Sequence, residues 1–112
     1  MPRNHISMTQ TTQLVLRALL DRPTDEQYGL EICAAAALPS GTIHPILARL
    51  EEIGWLESRW EAVDAHEVGR PRRRYYHLTP DGMEMARDSL ARASARAARL
   101  AALRPASAGG LT

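Results

Sequence analysis

Four arginines, Arg70, Arg72, Arg73 and Arg74, fall within five consecutive positions of this 112-residue chain. A guanidinium is a planar fork of donors that can grip a phosphate, or the O6 and N7 edge of guanine, with two hydrogen bonds at once. Several such groups neutralising phosphates produce an affinity that falls steeply with salt. Alternation along an extended segment puts Arg72 and Arg74 on one face and Arg73 on the other, so not all four need reach the same ligand. A second set, Ser40, Thr42 and His44, recurs at every other residue just after Pro39, with Arg49 further along. Short hydroxyls and an imidazole at the start of a helix reach phosphates or base edges, and the positive helix end assists them. Both sets bind; neither breaks bonds. No Ser/His/Asp or Cys/His arrangement, phosphate loop or carboxylate pair is placed to form a cleft, so no enzyme is expected.

The remaining chemically capable residues read more plainly. Cys33 is the only cysteine, which excludes an internal disulfide and a multi-cysteine zinc site. On an Ala-rich helix it reads as a small buried apolar residue in preference to a redox sensor. Asp64, His66 and Glu67 could gather a metal ion, but in a polar loop they read as solvated side chains. His5, His44 and His77 share no ligand spacing, and no cofactor or metal is expected. Trp60 is expected to pack a hairpin onto helices in preference to stacking a ligand. Arg92, Arg96 and Arg99 read as a solvated helix face.

The formal net charge of +1 speaks, taken alone, against a polyanionic partner. Its distribution says otherwise. Residues 51–69 carry six acids and one Arg, a net of −5, while residues 70–79 carry four Arg and no acid. The acids are expected to confine the positive field to one edge and limit indiscriminate binding. No run approaches the roughly 18 apolar residues of a membrane span. The first twelve residues lack the apolar middle of a signal peptide, so a cytoplasmic protein with no membrane partner is expected.

Elements must position these groups. Thr9 to Asp21 has the apolar spacing of a helix face at Leu14, Val15, Ala18 and Leu19, and Pro23 ends it. Asp25 is placed to cap a second helix through about Leu38, with Tyr28, Ile32, Cys33 and Ala36 on its apolar side. Pro39-Ser40-Gly41-Thr42 is a breaker and cap. A third helix, Thr42 to about Ile53, turns Ile43, Ile46, Leu47, Leu50 and Ile53 inward, with Pro45 in its first turn and Gly54 as its stop. Residues 55–62 and 74–78 are strand-like and predict a two-stranded antiparallel hairpin with a long tip over residues 63–73. Thr79-Pro80 caps a last helix, residues 80–104. On it Met83, Ala86, Leu90, Ala93, Ala97 and Leu100 are spaced as a heptad seam. At roughly 1.5 Å per residue this helix is about 37 Å long, more than a small domain covers, so the seam predicts a two-fold dimer. The expected fold class is mainly α (α+β). A flexible arm (1–8) precedes a winged helix-turn-helix domain (9–79), followed by a long C-terminal dimerisation helix (80–104) and a disordered tail (105–112).

Four blocks carry a family resemblance. They are Tyr28-Gly29-Leu30-Glu31-Ile32; Leu38-Pro39-Ser40-Gly41-Thr42-Ile43-His44-Pro45-Ile46-Leu47-Ala48-Arg49-Leu50-Glu51; Gly54-Trp55-Leu56-Glu57-Ser58; and Gly69-Arg70-Pro71-Arg72-Arg73-Arg74-Tyr75-Tyr76-His77-Leu78-Thr79-Pro80-Asp81-Gly82. In order and spacing, from about Leu14 to Leu90, the chain resembles the PadR family of bacterial transcriptional regulators. The single helix after the wing is similar to its small subgroup of dimers. The resemblance implies an operator-binding repressor, released by a small-molecule or stress signal, that holds double-stranded DNA at a pseudo-palindromic site. It assigns DNA contacts to Ser40, Thr42 and His44 on the recognition helix and to Arg72 and Arg73 on the wing; Arg49 and Arg70 join them as candidates from the residues alone. His44 stands where the family usually has Tyr. Some members hold flat aromatic compounds between aromatic side chains at the dimer interface; the Met, Ala and Leu seam here offers no such pocket. The alternative is a winged helix that pairs with another protein, as an antirepressor or a transcription-complex subunit.

Overall fold

The computed structural model describes residues 6–104. Helix α1 spans Gln10–Asp21; the Thr9 hydroxyl caps it by accepting from the Thr12 amide, and Val15, Leu16, Ala18 and Leu19 are buried. The tail expected over 105–112 and residues 1–5 of the expected arm lie outside the described residues. Ile6 and Met8 pack against the core, and the Met8 carbonyl accepts from Gln13.

The second helix starts later than its sequence predicts. Gln27–Tyr28 forms a short strand, β1, and α2 covers only Gly29–Ala36, with Tyr28 and not Asp25 at its cap. The Tyr28 amide donates to Glu31, while Asp25 accepts from Arg22. Two residues are too few to display a strand period, so only the distant partner reveals β1. α2 ends with Ala37 left-handed at φ 57°, and the Leu38 amide donates back to the Cys33 carbonyl.

Helix α3 spans Ser40–Glu52 and starts two residues before the expected Thr42, so Pro45 lies in its second turn and not its first. Proline cannot donate to the carbonyl four residues back. Here that carbonyl belongs to Gly41, and both residues are exposed, so solvent can serve it. Ile43, Leu47 and Leu50 are fully buried.

Strand β2 is Leu56–Trp60 and β3 is Arg74–Leu78, with a four-residue helix α4, Ala65–Val68, in the tip between them. The expected two-stranded hairpin is a three-stranded antiparallel sheet in the order β1-β3-β2. Tyr28 faces Tyr75 across one side of β3, and Trp60 faces Arg74 across the other.

Helix α5, Pro80–Ala102, begins at a Thr79 cap that accepts from the Gly82 amide at 2.9 Å, with Pro80 in the first turn. Gly82 is buried against the Trp55 backbone so tightly that a Cβ there would lie 2.0 Å from the Trp55 carbonyl oxygen. The Thr79 amide donates to that same oxygen at 3.0 Å. Ala86 is fully buried in the chain's own core, and Met83 and Leu90 pack against it. Of the six seam residues, Ala86 therefore belongs to the domain's interior, and Met83 and Leu90 are partly covered by it. Ala86 has no surface to offer a partner. Beyond Leu90 the helix leaves the domain; Ala93 is half-buried, while Ala97 and Leu100 are exposed. Among the described residues no single helix is long and apolar enough to cross a membrane.

Candidate nucleic-acid interface

The N-terminal turns of α3 present Ser40 and His44 to solvent, with Thr42 half-buried between them. The reason is the period of the helix. Burying Ile43, Leu47 and Leu50 turns the residues between them outward. Across from this edge lies the wing. A groove of about 410 Å³ separates the two, and Ser40, His44 and residues 70–74 all line it. Its lining also includes Tyr28, Leu30, Cys33 and Tyr76, which make it largely apolar. Five of the seven candidate binding residues thus meet at one groove with the half-buried Cys33: Ser40, His44, Arg70, Arg72 and Arg73, of which Arg70 is otherwise engaged. Arg49 lies further along α3 and pairs with Glu52.

The four wing arginines, equivalent in sequence, separate into two kinds. Arg70 donates from both terminal nitrogens to Glu61, at 2.8 and 3.0 Å, and Glu61 also accepts from the Arg73 amide at 3.1 Å. The Arg70 hydrogen bonds, reinforced by that amide, hold the Glu61 carboxyl down at about 2, against the opposing effect of partial desolvation. Arg74 donates to the Ser58 hydroxyl at 2.9 Å and to Glu51 at 3.3 Å. Ser58 in turn donates to Glu51. These two arginines tie the wing to itself and to α3. Arg72 and Arg73 lie instead on aromatic faces: Arg72 is 5.8 Å from the Trp60 ring centre and Arg73 is 4.1 Å from that of Tyr28. Neither has a carboxylate partner among the described residues. Cation–π contacts at an exposed site are worth only about 0.5–1 kcal/mol each, so both guanidinium groups can turn to a stronger anion. Arg72 and Arg74 lie by Trp60 while Arg73 lies by Tyr28, the alternation of an extended segment leading into β3.

Sequence reasoning missed several partners. Trp60, expected to pack against helices, is 53% exposed; burial along β2 is confined to its start at Leu56. Trp55 takes the buried position instead, at 2%. Arg59 pairs with Glu26 through two hydrogen bonds of 2.7 and 2.6 Å and lies 5.2 Å from the Tyr75 ring centre. That hydrogen bonding also lowers the Glu26 carboxyl below its usual range. No periodicity announces a pair so distant in the chain. Among the described residues no group of three or more His, Cys, Asp or Glu could hold a metal ion. Asp64 caps α4 by accepting from the His66 amide at 2.8 Å.

Residues 15–88 match the model of the transcriptional regulator PadR-like family. The chain belongs to this family. Among curated proteins no sequence matches it significantly. Solved structures do match. A point mutant of MepR from a multidrug-resistant S. aureus clinical isolate is 20% identical, with a TM-score of 0.59 over 73% of this chain. This chain spans only 55% of the length of that one. A transcriptional regulator homologue from Pyrococcus horikoshii OT3 is 21% identical, with a TM-score of 0.64 over 82% of this chain and 84% of its own. Another S. aureus MepR mutant, bound to an oligodeoxyribonucleotide, is 16% identical, with a TM-score of 0.61 over 92% of this chain and 70% of its own. At these identities the likeness is one of fold. The PadR-like domain is a winged helix, with α3 as its third helix, β2 and β3 as the wing, and α5 extending past it.

Proposed function

We propose that this PadR-like chain is a dimeric repressor that binds a pseudo-palindromic DNA operator and is released by a small-molecule or stress signal in the cytoplasm. In this reading the winged-helix part, residues 9–79, reads DNA, with the first turns of α3 in the major groove and the wing on the backbone. The exposed half of α5 pairs two copies through Ala93, Ala97 and Leu100. Two-fold pairing would set two recognition helices against half-sites about 34 Å apart. The observation that carries the reading is the groove: Ser40 and His44 face Arg72 and Arg73 across it, and only those two wing arginines lack a carboxylate partner among the described residues. The fold shared with a MepR mutant bound to an oligodeoxyribonucleotide supports it.

The test is binding of a labelled duplex from upstream of the chain's own gene, followed by fluorescence anisotropy across a salt series. Each phosphate contact contributes about 0.9 to the slope of log affinity against log salt. The double variant Arg72→Ala/Arg73→Ala should therefore lose about 1.8 of that slope. Over a fourfold rise in salt, wild type would weaken roughly twelvefold more than the variant. No salt-dependent binding to any duplex would refute the reading and favour a protein partner.

A further inference from the structure

Trp60 ends β2, an edge strand of the sheet, and is 53% exposed. An aromatic ring of this size left in water forgoes the large stabilisation that burial would give. What surrounds it is cationic. The guanidinium carbons of Arg72 and Arg74 lie 5.8 and 5.3 Å from its ring centre, and Arg74 faces it across the strand pair. Arg74 is partly neutralised by Glu51, whereas Arg72 has no carboxylate partner among the described residues. An apolar protein surface would have to desolvate these charges to cover the ring, which is costly. A partner that alternates anionic and apolar parts at close spacing fits both features. The sugar–phosphate backbone of duplex DNA is such a partner: a phosphate oxygen for the guanidinium, and the C–H face of the adjoining deoxyribose for the indole.

We propose that Trp60 is itself a DNA contact, its ring covering a deoxyribose next to the phosphate that Arg72 holds. This rests on the DNA-binding reading above and extends the footprint from Arg72 and Arg73 to the end of β2. The chain provides its own probe, because its two tryptophans differ. Trp55 is shielded at 2% exposure, so acrylamide quenches chiefly Trp60. Wild type, Trp60→Phe and Trp60→Ala are titrated with a 24-base-pair duplex at low salt, with anisotropy of a labelled duplex read in parallel and circular dichroism confirming the fold of each variant. The Trp60→Phe protein identifies the quenchable emission as that of Trp60. At saturation the quenching of wild type should fall toward the low value of a buried indole. Trp60→Ala should bind about five- to tenfold more weakly, near the lower bound for a base stacked on an aromatic side chain, since a deoxyribose offers the indole a smaller face. Unchanged quenching while anisotropy reports bound duplex would overturn the inference and leave the DNA-binding reading standing, whatever Trp60→Ala does. Protection with unaltered affinity in Trp60→Ala would overturn it as well. Absence of binding to any duplex removes both.

Discussion

Replacing Gly82 by Ala tests whether α5 is seated as the structure places it. In an ordinary helix the change is favourable, because Ala is the better helix former by about 0.8–1 kcal/mol. Here the added Cβ would lie 2.0 Å from the Trp55 carbonyl oxygen and 2.6 Å from its carbon. Carbon and oxygen approach no closer than about 3.3 Å without repulsion. The first turn of α5 must therefore retreat by more than about 1 Å, and the obstacle is backbone, which cannot rotate aside. That retreat pulls the Thr79 amide off the Trp55 carbonyl, where they now meet at 3.0 Å, and lifts Ala86 from the core. Overpacking costs typically 1–3 kcal/mol and a lost hydrogen bond about 1 kcal/mol. Set against the gain in propensity, the net loss is about 1–3 kcal/mol. A domain of this size loses about 4–8 °C in Tm for each kcal/mol, so the variant should melt roughly 4–24 °C below wild type. The assay is thermal unfolding by circular dichroism at one fixed protein concentration, since the proposed dimerisation would make Tm concentration-dependent. Gly41→Ala is the control, because its new Cβ would meet nothing within 4 Å and the residue lies within α3. It should melt at or slightly above wild type. A Gly82→Ala protein as stable as the Gly41→Ala protein would refute the seating of α5 on Trp55.

Three further outcomes are expected. Glu61→Gln removes the carboxylate that holds Arg70, and adding Glu57→Gln removes a second acid beside the wing; non-specific duplex affinity at low salt should rise in the single variant and further in the double. Because the Glu61 carboxyl sits at about 2 in the folded chain, below its usual value near 4.3, its stabilisation is present above that usual value. It is lost as pH falls through the folded value. Acid unfolding between pH 4 and pH 2 should therefore be less steep in Glu61→Gln than in wild type, monitored by circular dichroism. Leu100→Glu places a charge on the exposed part of α5, where Leu100 is 62% exposed; light scattering at micromolar concentration should report a dimer mass for wild type and a monomer mass for the variant.

Much of the fold was legible because the signals are local. Thr9 and Thr79 cap the helices that follow them, Pro80 opens α5, and the inward positions of α3 follow the helical period. Strand β3 was legible at its observed bounds for the same reason: an aromatic run between turn residues declares itself within a few positions. What was not legible depends on partners far along the chain. Gln27 and Tyr28 are a strand only because Tyr76 and Tyr75 lie beside them. The heptad spacing of α5 continues unbroken, yet nothing in that spacing reveals that the domain covers it only as far as Leu90.

Sequence alone therefore determined the family resemblance, the winged-helix order of elements and the cluster of arginines on the wing, all of which follow from residue type, local spacing and end signals. Tertiary structure alone decided which arginines are engaged. Arg70 meets Glu61 and Arg74 meets Ser58 and Glu51, while Arg72 and Arg73 rest on Trp60 and Tyr28. It also decided that Trp55 is buried and Trp60 is not. The physical reason is the same in each case: a charge or an aromatic ring is defined by what stands within a few ångströms of it, and strand register and helix docking bring those neighbours from distant positions in the chain.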